Sequence, residues 1–370
     1  MTLKKYIVIP TYIQSLDWST DFINQTYSYL NTNDTKVICI DLQTHTSIKK
    51  WLKLLFFTKN YSIVTIPKLL PFGKFGNRVS KKIVQFICSF IFLILGNKVI
   101  IWNFFPQHFQ EFSNLISKKT IVIYDCVDFF STKQDLIWQK KLLQRSNKLF
   151  VNSFTLQKLF KNFNPILVAQ GFDQRTKDSN SDQSLLNFHA KKYSITIGYI
   201  GGINNRINFD LLLKIILKNK DCLFIIWGPL QEIKKMPKNQ FKKLKIILKM
   251  NNVITGKSKK NQLNQIYKKI DIGIIPYDTN DPFNKNCFPM KFLEYCFYGI
   301  PTISTEIEEL KRYSSNDCLV SNTWEKWHKR IKMYKQQPHV NNSSLRKIAL
   351  NNTWEKKLNT ITLELNAISV

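Results

Sequence analysis

The stretch DIGIIPYDTNDPFNKNCFPMKFLEYCFYGIPTIST, Asp271 to Thr305, packs strand, loop, helix and strand into one short span. IGII is too short for a helix and reads as a buried strand that ends at Pro276 and Tyr277. A polar loop follows. Pro289 then stands near the start of the helix MKFLEYCFYG, and Gly299 closes it before the strand PTIST. Fully apolar strands joined through a helix predict parallel pairing in a sheet covered on both faces. Lys291 and Glu294 lie three apart, so they share one helix face near its N-terminal end. A cation beside a helix start suits a diphosphate, and a carboxylate one turn further in can accept two hydroxyl hydrogens, as from a ribose diol. A plain surface ion pair is the alternative, and the apolar residues around both positions disfavour it.

The same rhythm extends outward. Before the stretch come ITIGYIG (195–201), CLFIIWG (222–228) and NVITG (252–256). In the first half stand YIVIP (6–10), KVICIDL (36–42), SIVTIP (62–67), KVIIW (98–102), TIVIYD (120–125), KLFVNS (148–153) and ILVAQG (166–171). Between the two series, residues 174–193 are poor in large apolar side chains and read as a linker. At about 150 residues per domain, 370 residues make two domains, each an α/β, Rossmann-like, doubly wound sheet. Seven of the eleven glycines fall in the second series. Gly201, Gly202, Gly228 and Gly256 sit at strand ends, where doubly wound sheets bind ligands and where a glycine lets backbone come close. The segment NNRINFDLLLKII after GYIGG reads as a helix whose amide end could face a phosphate. There is no P-loop motif.

Seven dispersed cysteines without a C-x-x-C pair read as reduced, buried thiols, not as a disulfide framework or zinc ribbon. Met1 to Lys5 run straight into a strand, so a cytoplasmic location is expected. The five histidines form no i, i+4 ligand pair and D-x-D is absent from the sequence, so no metal or cofactor is expected. The net charge of +30 comes mostly from lysine, as AT-rich coding alone can produce. Its distribution is less easily dismissed: residues 42–110 contain ten basic side chains and no acidic one. That interval also holds the most apolar run, IVQFICSFIFLIL (83–95), too short to span a bilayer. It reads as a core helix or as an interfacial one, with an anionic membrane surface as the matching partner and a peripheral location on its inner face. The charge by itself would also serve a nucleic-acid-binding protein, but no aromatic-basic RNA signature, zinc finger or basic helix accompanies it, so nucleic acid is not expected.

These residues resemble a known family. Asp271 to Thr305, with its P-x-K-x-x-E-Y helix, is similar to the donor-binding signature of GT-B glycosyltransferases of the group 1 type, in the bacterial exopolysaccharide and teichuronic-acid-like branch. GYIGGINNRINFDLL (198–212), NVITGKSKKNQLNQIYKKIDIGIIPY (252–277), YDCVDFF (124–130), QGFD (170–173) and NNTWEKKL (351–358) resemble further segments of that branch. The likeness covers most of residues 120–365 and is faint before them.

The resemblance implies two Rossmann-like domains facing a cleft: an acceptor domain over 1–173, a nucleotide-sugar domain over 194–340, and a C-terminal helical segment, 341–370, that can return to the first. It implies a metal-independent glycosyltransferase moving a sugar from a nucleotide diphosphate, UDP above all, to a glycan or lipid-linked acceptor in cell-surface polysaccharide assembly. A nucleotide-sugar epimerase of the same fold is the alternative. By the same resemblance Glu294 would hold the ribose, Lys291 the diphosphate, and the Gly201–Gly202 backbone the distal phosphate with Arg206 as helper. Gly256 would lie by the base, and Tyr277 would be a further donor-binding residue. Two positions depart from the pattern: Asn286 stands where retaining members carry a second Glu, and Phe129 replaces one acid of a D-D pair. Asp128 is then the candidate general base, since an inverting transfer needs a carboxylate to take the acceptor proton. Asp125 is its alternative, and helix capping is the plain structural role for either.

Overall fold

The computed structural model describes residues 5–11, 22–32, 34–41, 62–64, 82–83, 85–86, 89–90, 92, 99–114, 116–172, 193–258, 262–336 and 343–368. The chain divides into two units, Met1–Ala169 with Leu358–Val370, and Gln170–Lys357. Of the expected linker, residues 174–192 lie outside the described residues.

The first unit contains a seven-stranded parallel sheet in the order β3-β2-β1-β4-β5-β6-β7. Its strands are β1 (Lys5–Thr11), β2 (Thr35–Asp41), β3 (Ser62–Val64), β4 (Val99–Asn103), β5 (Ile121–Cys126), β6 (Lys148–Val151) and β7 (Ile166–Leu167). Every residue of β4 is buried, as a strand covered on both faces requires. The helix Trp354–Ile368 contributes its second half to this unit. Leu358, Ile361 and Leu365 are buried there, and Lys148 pairs with Glu364 at 2.9 Å.

The apolar run at 83–95 behaves in two ways at once. Residues 82, 83, 85, 86, 89, 90 and 92 are helical. Ile83 and Phe92 pack on the first core, whereas Phe86 and Phe90 are 74% and 58% exposed. Lys82, Phe86 and Phe90 are spaced i, i+4, i+8 and so share one face. Lys74, Arg78 and Lys81 lie outside the described residues. Among the described residues no helix is long and apolar enough to cross a membrane.

The second unit contains a six-stranded parallel sheet, β10-β9-β8-β11-β12-β13. Its strands are β8 (Thr196–Ile200), β9 (Leu223–Trp227), β10 (Val253–Gly256), β11 (Ile272–Ile275), β12 (Thr302–Ser304) and β13 (Cys318–Val320). Both sheets reverse direction of growth beside their first strand, at β1/β4 and at β8/β11. Such a switch point opens a crevice at the carboxyl ends of the strands.

One helix reads differently from expectation. The segment after GYIGG becomes helical only at Phe209, and the helix runs to Lys218. Asn208 caps it by accepting the Leu211 N–H on its side chain, so the helix does not follow directly on the glycine pair. Residues 203–208 instead bridge to neighbouring strand ends, Ile203 to Leu230 and Ile207 to Tyr277.

Candidate functional site

Three strand ends lie side by side in the second unit, and each carries a glycine. Gly201 N–H donates to the Trp227 carbonyl (2.8 Å), and Gly228 N–H to the Gly256 carbonyl (2.7 Å). Gly201 has φ 140° and Gly228 φ 151°, values that side-chain-bearing residues rarely adopt. A Cβ on Gly228 would also collide with the Gly201 carbonyl. These glycines therefore let three backbones meet without side chains between them. Gly202 lies against the Gln231 side chain, and its carbonyl accepts the Tyr199 hydroxyl at 2.8 Å. Gly256 packs on the Trp227 indole, whose N–H donates to Ser258 Oγ (3.0 Å).

Across the switch point stands the helix Met290–Phe297, which buries Phe292, Leu293, Tyr295, Cys296 and Phe297. Burying each large apolar side chain stabilises by about 1.5–3 kcal/mol, which fixes the helix and so its other stripe, Lys291 and Glu294. Lys291 reaches the Gly201 backbone, where its Nζ occupies the space a Cβ would need. It donates to Tyr277 Oη at 2.9 Å and lies 5.1 Å above the Tyr199 ring. Burial works to lower the Lys291 pKa, but the phenol oxygens of Tyr199 and Tyr277 outweigh it and raise it above the ordinary lysine range. The ammonium is charged at neutral pH. Among the described residues Lys291 forms no ion pair.

Arg206 brings a second cation to the same phenol. Its guanidinium carbon is 4.4 Å from the Tyr277 ring centroid and 4.8 Å from that of Phe283. Its Nε donates to Asn284 Oδ1 (2.7 Å), and one terminal nitrogen to Cys287 Sγ (3.3 Å). Asn284 is fully buried and is held in turn by donating to the Asp278 carbonyl at 3.0 Å. Lys291 against the Gly201 backbone and Arg206 over the shared Tyr277 ring bring two cations to the switch point, a place for a polyanion.

Glu294, one turn further along the same helix, has a different partner. Its Oε2 accepts the Tyr267 hydroxyl at 2.7 Å. The neighbouring Tyr295 hydroxyl donates to the Gly198 carbonyl (2.9 Å) and accepts the Ile200 N–H (3.2 Å), tying the helix to β8.

Thus Gly201, Gly202, Arg206, Tyr277 and Lys291 come together, while Gly256 joins through β10 and Glu294 through its helix. Sequence reasoning did not single out Tyr199, Gln231, Asn284 or Tyr267. Tyr199 was legible as part of GYIGG; the others contact the site from positions far apart in the chain.

The two carboxylates of the first unit lie at the end of β5. Asp125 is fully buried and Asp128, just beyond the strand, is half-buried. The Cys126 thiol between them donates to the Asp128 carbonyl (3.3 Å), and burial pushes its pKa up to about 12. Among the described residues no three His, Cys, Asp or Glu side chains gather in a way that could hold a metal ion.

Residues 194–334 match the family described as glycosyl transferases group 1. The second unit is a group 1 glycosyltransferase domain. TuaH of Bacillus subtilis (strain 168), named as a teichuronic acid biosynthesis glycosyltransferase, is 26% identical over 238 residues. That alignment covers 57% of this chain, which spans only 56% of the TuaH length. Among solved structures, Anabaena HepE in complex with UDP and glucose superposes with a TM-score of 0.73 at 14% identity, covering 98% of this chain and 100% of that one. A glycosyltransferase from Rickettsia africae gives 0.69 at 14% identity, covering 98% and 97%. At these identities the superpositions establish the fold: two α/β units of the GT-B kind, as the sequence led us to expect.

Proposed function

We propose that this chain transfers a sugar from a nucleotide diphosphate sugar, UDP-linked in the first instance, to a glycan or lipid-linked acceptor in cell-surface polysaccharide assembly. The observation that carries this reading is Lys291, a charged ammonium set against the Gly201 backbone at the β8/β11 switch point, with Arg206 sharing its Tyr277 partner. HepE in complex with UDP-glucose and TuaH named for teichuronic acid biosynthesis support the donor and the setting.

In this reading the leaving diphosphate is neutralised without a metal. Its oxygens accept from Lys291, Arg206 and the Gly202 amide, donors already fixed in place before charge develops. Glu294 accepts the ribose hydroxyls, and the Gly256 strand end lies by the base. Asp128 takes the proton from the acceptor hydroxyl as it attacks the anomeric carbon, and Asp125 is the alternative base. The acid-free interval 42–110 and the exposed pair Phe86 and Phe90 support association with the anionic cytoplasmic face of a membrane, where a lipid-linked acceptor resides.

Calorimetric titration with UDP tests the donor site. Lys291→Ala should weaken binding about ten- to a hundredfold, the equivalent of about 1.5–3 kcal/mol for a charge-assisted contact, with the fold intact. Unchanged affinity in the folded variant removes the donor assignment.

A further inference from the structure

Glu294 has a long side chain with several rotatable bonds, yet its carboxylate is held from outside its own helix. The holder is Tyr267, at the end of the short helix Leu263–Tyr267 between β10 and β11. Its hydroxyl donates to Glu294 Oε2 at 2.7 Å. The Tyr267 ring is itself fixed: it is buried, stacks on Tyr298 with centroids 4.6 Å apart and planes 10° apart, and meets the Tyr295 ring edge-on at 5.9 Å. Burial, reinforced by the Glu294 charge, holds the phenol pKa well above its ordinary value, so the group stays a neutral donor. An ionised carboxylate has about four acceptor directions, and the phenol uses one of them on Oε2. Oε1 and the remaining Oε2 direction are left for hydroxyl donors. A vicinal diol supplies two such donors at fixed separation.

We propose that Tyr267 is a positioning residue: it orients the Glu294 carboxylate for a vicinal diol, and the pair thereby discriminates a ribonucleoside diphosphate from its 2′-deoxy form. The proposal rests on the donor-site reading given above. Tyr267 does not touch the nucleotide; it sets the direction of the group that does. Without it the carboxylate still binds a diol, but from several rotamers, only some of which face both hydroxyls.

The experiment is calorimetric titration of UDP and 2′-deoxy-UDP against the wild type, Glu294→Gln and Tyr267→Phe, with thermal unfolding of each ligand-free variant. The wild type should prefer UDP by about tenfold or more, the scale of one hydrogen bond to a charged group. Glu294→Gln should abolish most of that preference. Tyr267→Phe keeps both ring contacts and loses only the hydroxyl; it should cut UDP affinity about three- to tenfold, leave 2′-deoxy-UDP nearly unchanged, and narrow the ratio. Should Tyr267→Phe fail to fold, Tyr298→Leu, which frees the ring but keeps the phenol, is read in the same way. A wild-type ratio in Tyr267→Phe beside a collapsed one in Glu294→Gln overturns the positioning role alone, as does an equal loss for both nucleotides. No UDP preference in the wild type, or one that Glu294→Gln leaves intact, overturns the donor reading and with it the role of the pair.

Discussion

The two switch points of this molecule share a topology and differ in chemistry. At β8/β11, β8 runs into the glycine pair Gly201–Gly202, β11 runs into Pro276 and Tyr277, and the side chains gathered there are cations and phenols. At β1/β4 the strands end in Thr11 and Asn103, and His108, just beyond β4, brings its Nδ1 to 3.1 Å from the Pro10 carbonyl. His108 is 1% exposed, and burial pushes its pKa down to about 4 against the smaller opposing effect of the Pro10 hydrogen bond. The imidazole is therefore neutral near pH 7. Bare backbone and fixed positive charge lie beside β8/β11; among the described residues beside β1/β4 lies a neutral ring packed against Phe105. Strand order alone decides where a ligand can sit; the residues at the strand ends decide which charge it carries.

In the proposed function the second unit holds the donor and the first supplies the base, and the largest effect should come from testing that division. Asp128→Asn keeps the shape but cannot take a proton; it should lower the transfer rate about 10²–10⁴-fold while UDP affinity stays near the wild-type value. A rate within a few-fold of wild type in a sugar-transfer assay, with Asp125→Asn as control, places the base elsewhere.

Gly228→Ala breaks the bare-backbone side of the comparison. The left-handed conformation and the collision with the Gly201 carbonyl together should destabilise by about 3 kcal/mol or more, measured by urea unfolding. A wild-type midpoint would mean that the close approach of β8 and β9 is dispensable.

His108 sharpens the other side. Between its unfolded pKa near 6.5 and its folded value of about 4, the unfolded chain takes up a proton that the folded chain does not. Stability from this group is thus full above pH 6.5 and is lost as pH falls through the window, by up to about 3 kcal/mol. His108→Asn, which keeps a donor for the Pro10 carbonyl, should lose less stability than the wild type between pH 7 and pH 4.5. An identical loss would show that the ring is not buried neutral.

The smallest effect concerns the exposed face at residues 82–92. The wild type should co-sediment with anionic vesicles and release them as salt rises. Phe86→Ser with Phe90→Ser should weaken binding severalfold, as should Lys82→Gln, at about 1 kcal/mol per lysine. Equal binding to neutral and anionic vesicles, or none, would dispose of the membrane reading.

Most of the sheet was legible because β4, β5, β8, β9 and β11 are apolar at almost every position, which only doubly covered strands require. β13 was not: Cys318–Val320 is three residues long and two of them are only partly buried. The late start of the Phe209–Lys218 helix was hidden in an asparagine-rich run, NNRIN, where any of three residues could have served as cap. Lys291 and Glu294 could be placed on one helix face by spacing alone. Their partners could not, because Tyr267 is 27 residues from Glu294 and Asn284 is 78 from Arg206, distances that no local pattern encodes.

The helix Trp354–Ile368 has a practical consequence for anyone dissecting the molecule. Trp354 packs on Gly171 in the second unit, while Leu358 onward belongs to the first. A gene fragment stopping at residue 169 would strip the first unit of Leu358, Ile361 and Leu365 and of the Glu364 partner of Lys148. Production of that unit by itself thus calls for a circularly permuted or tethered design that restores its C-terminal strap; simple truncation will deliver a protein with an open seam.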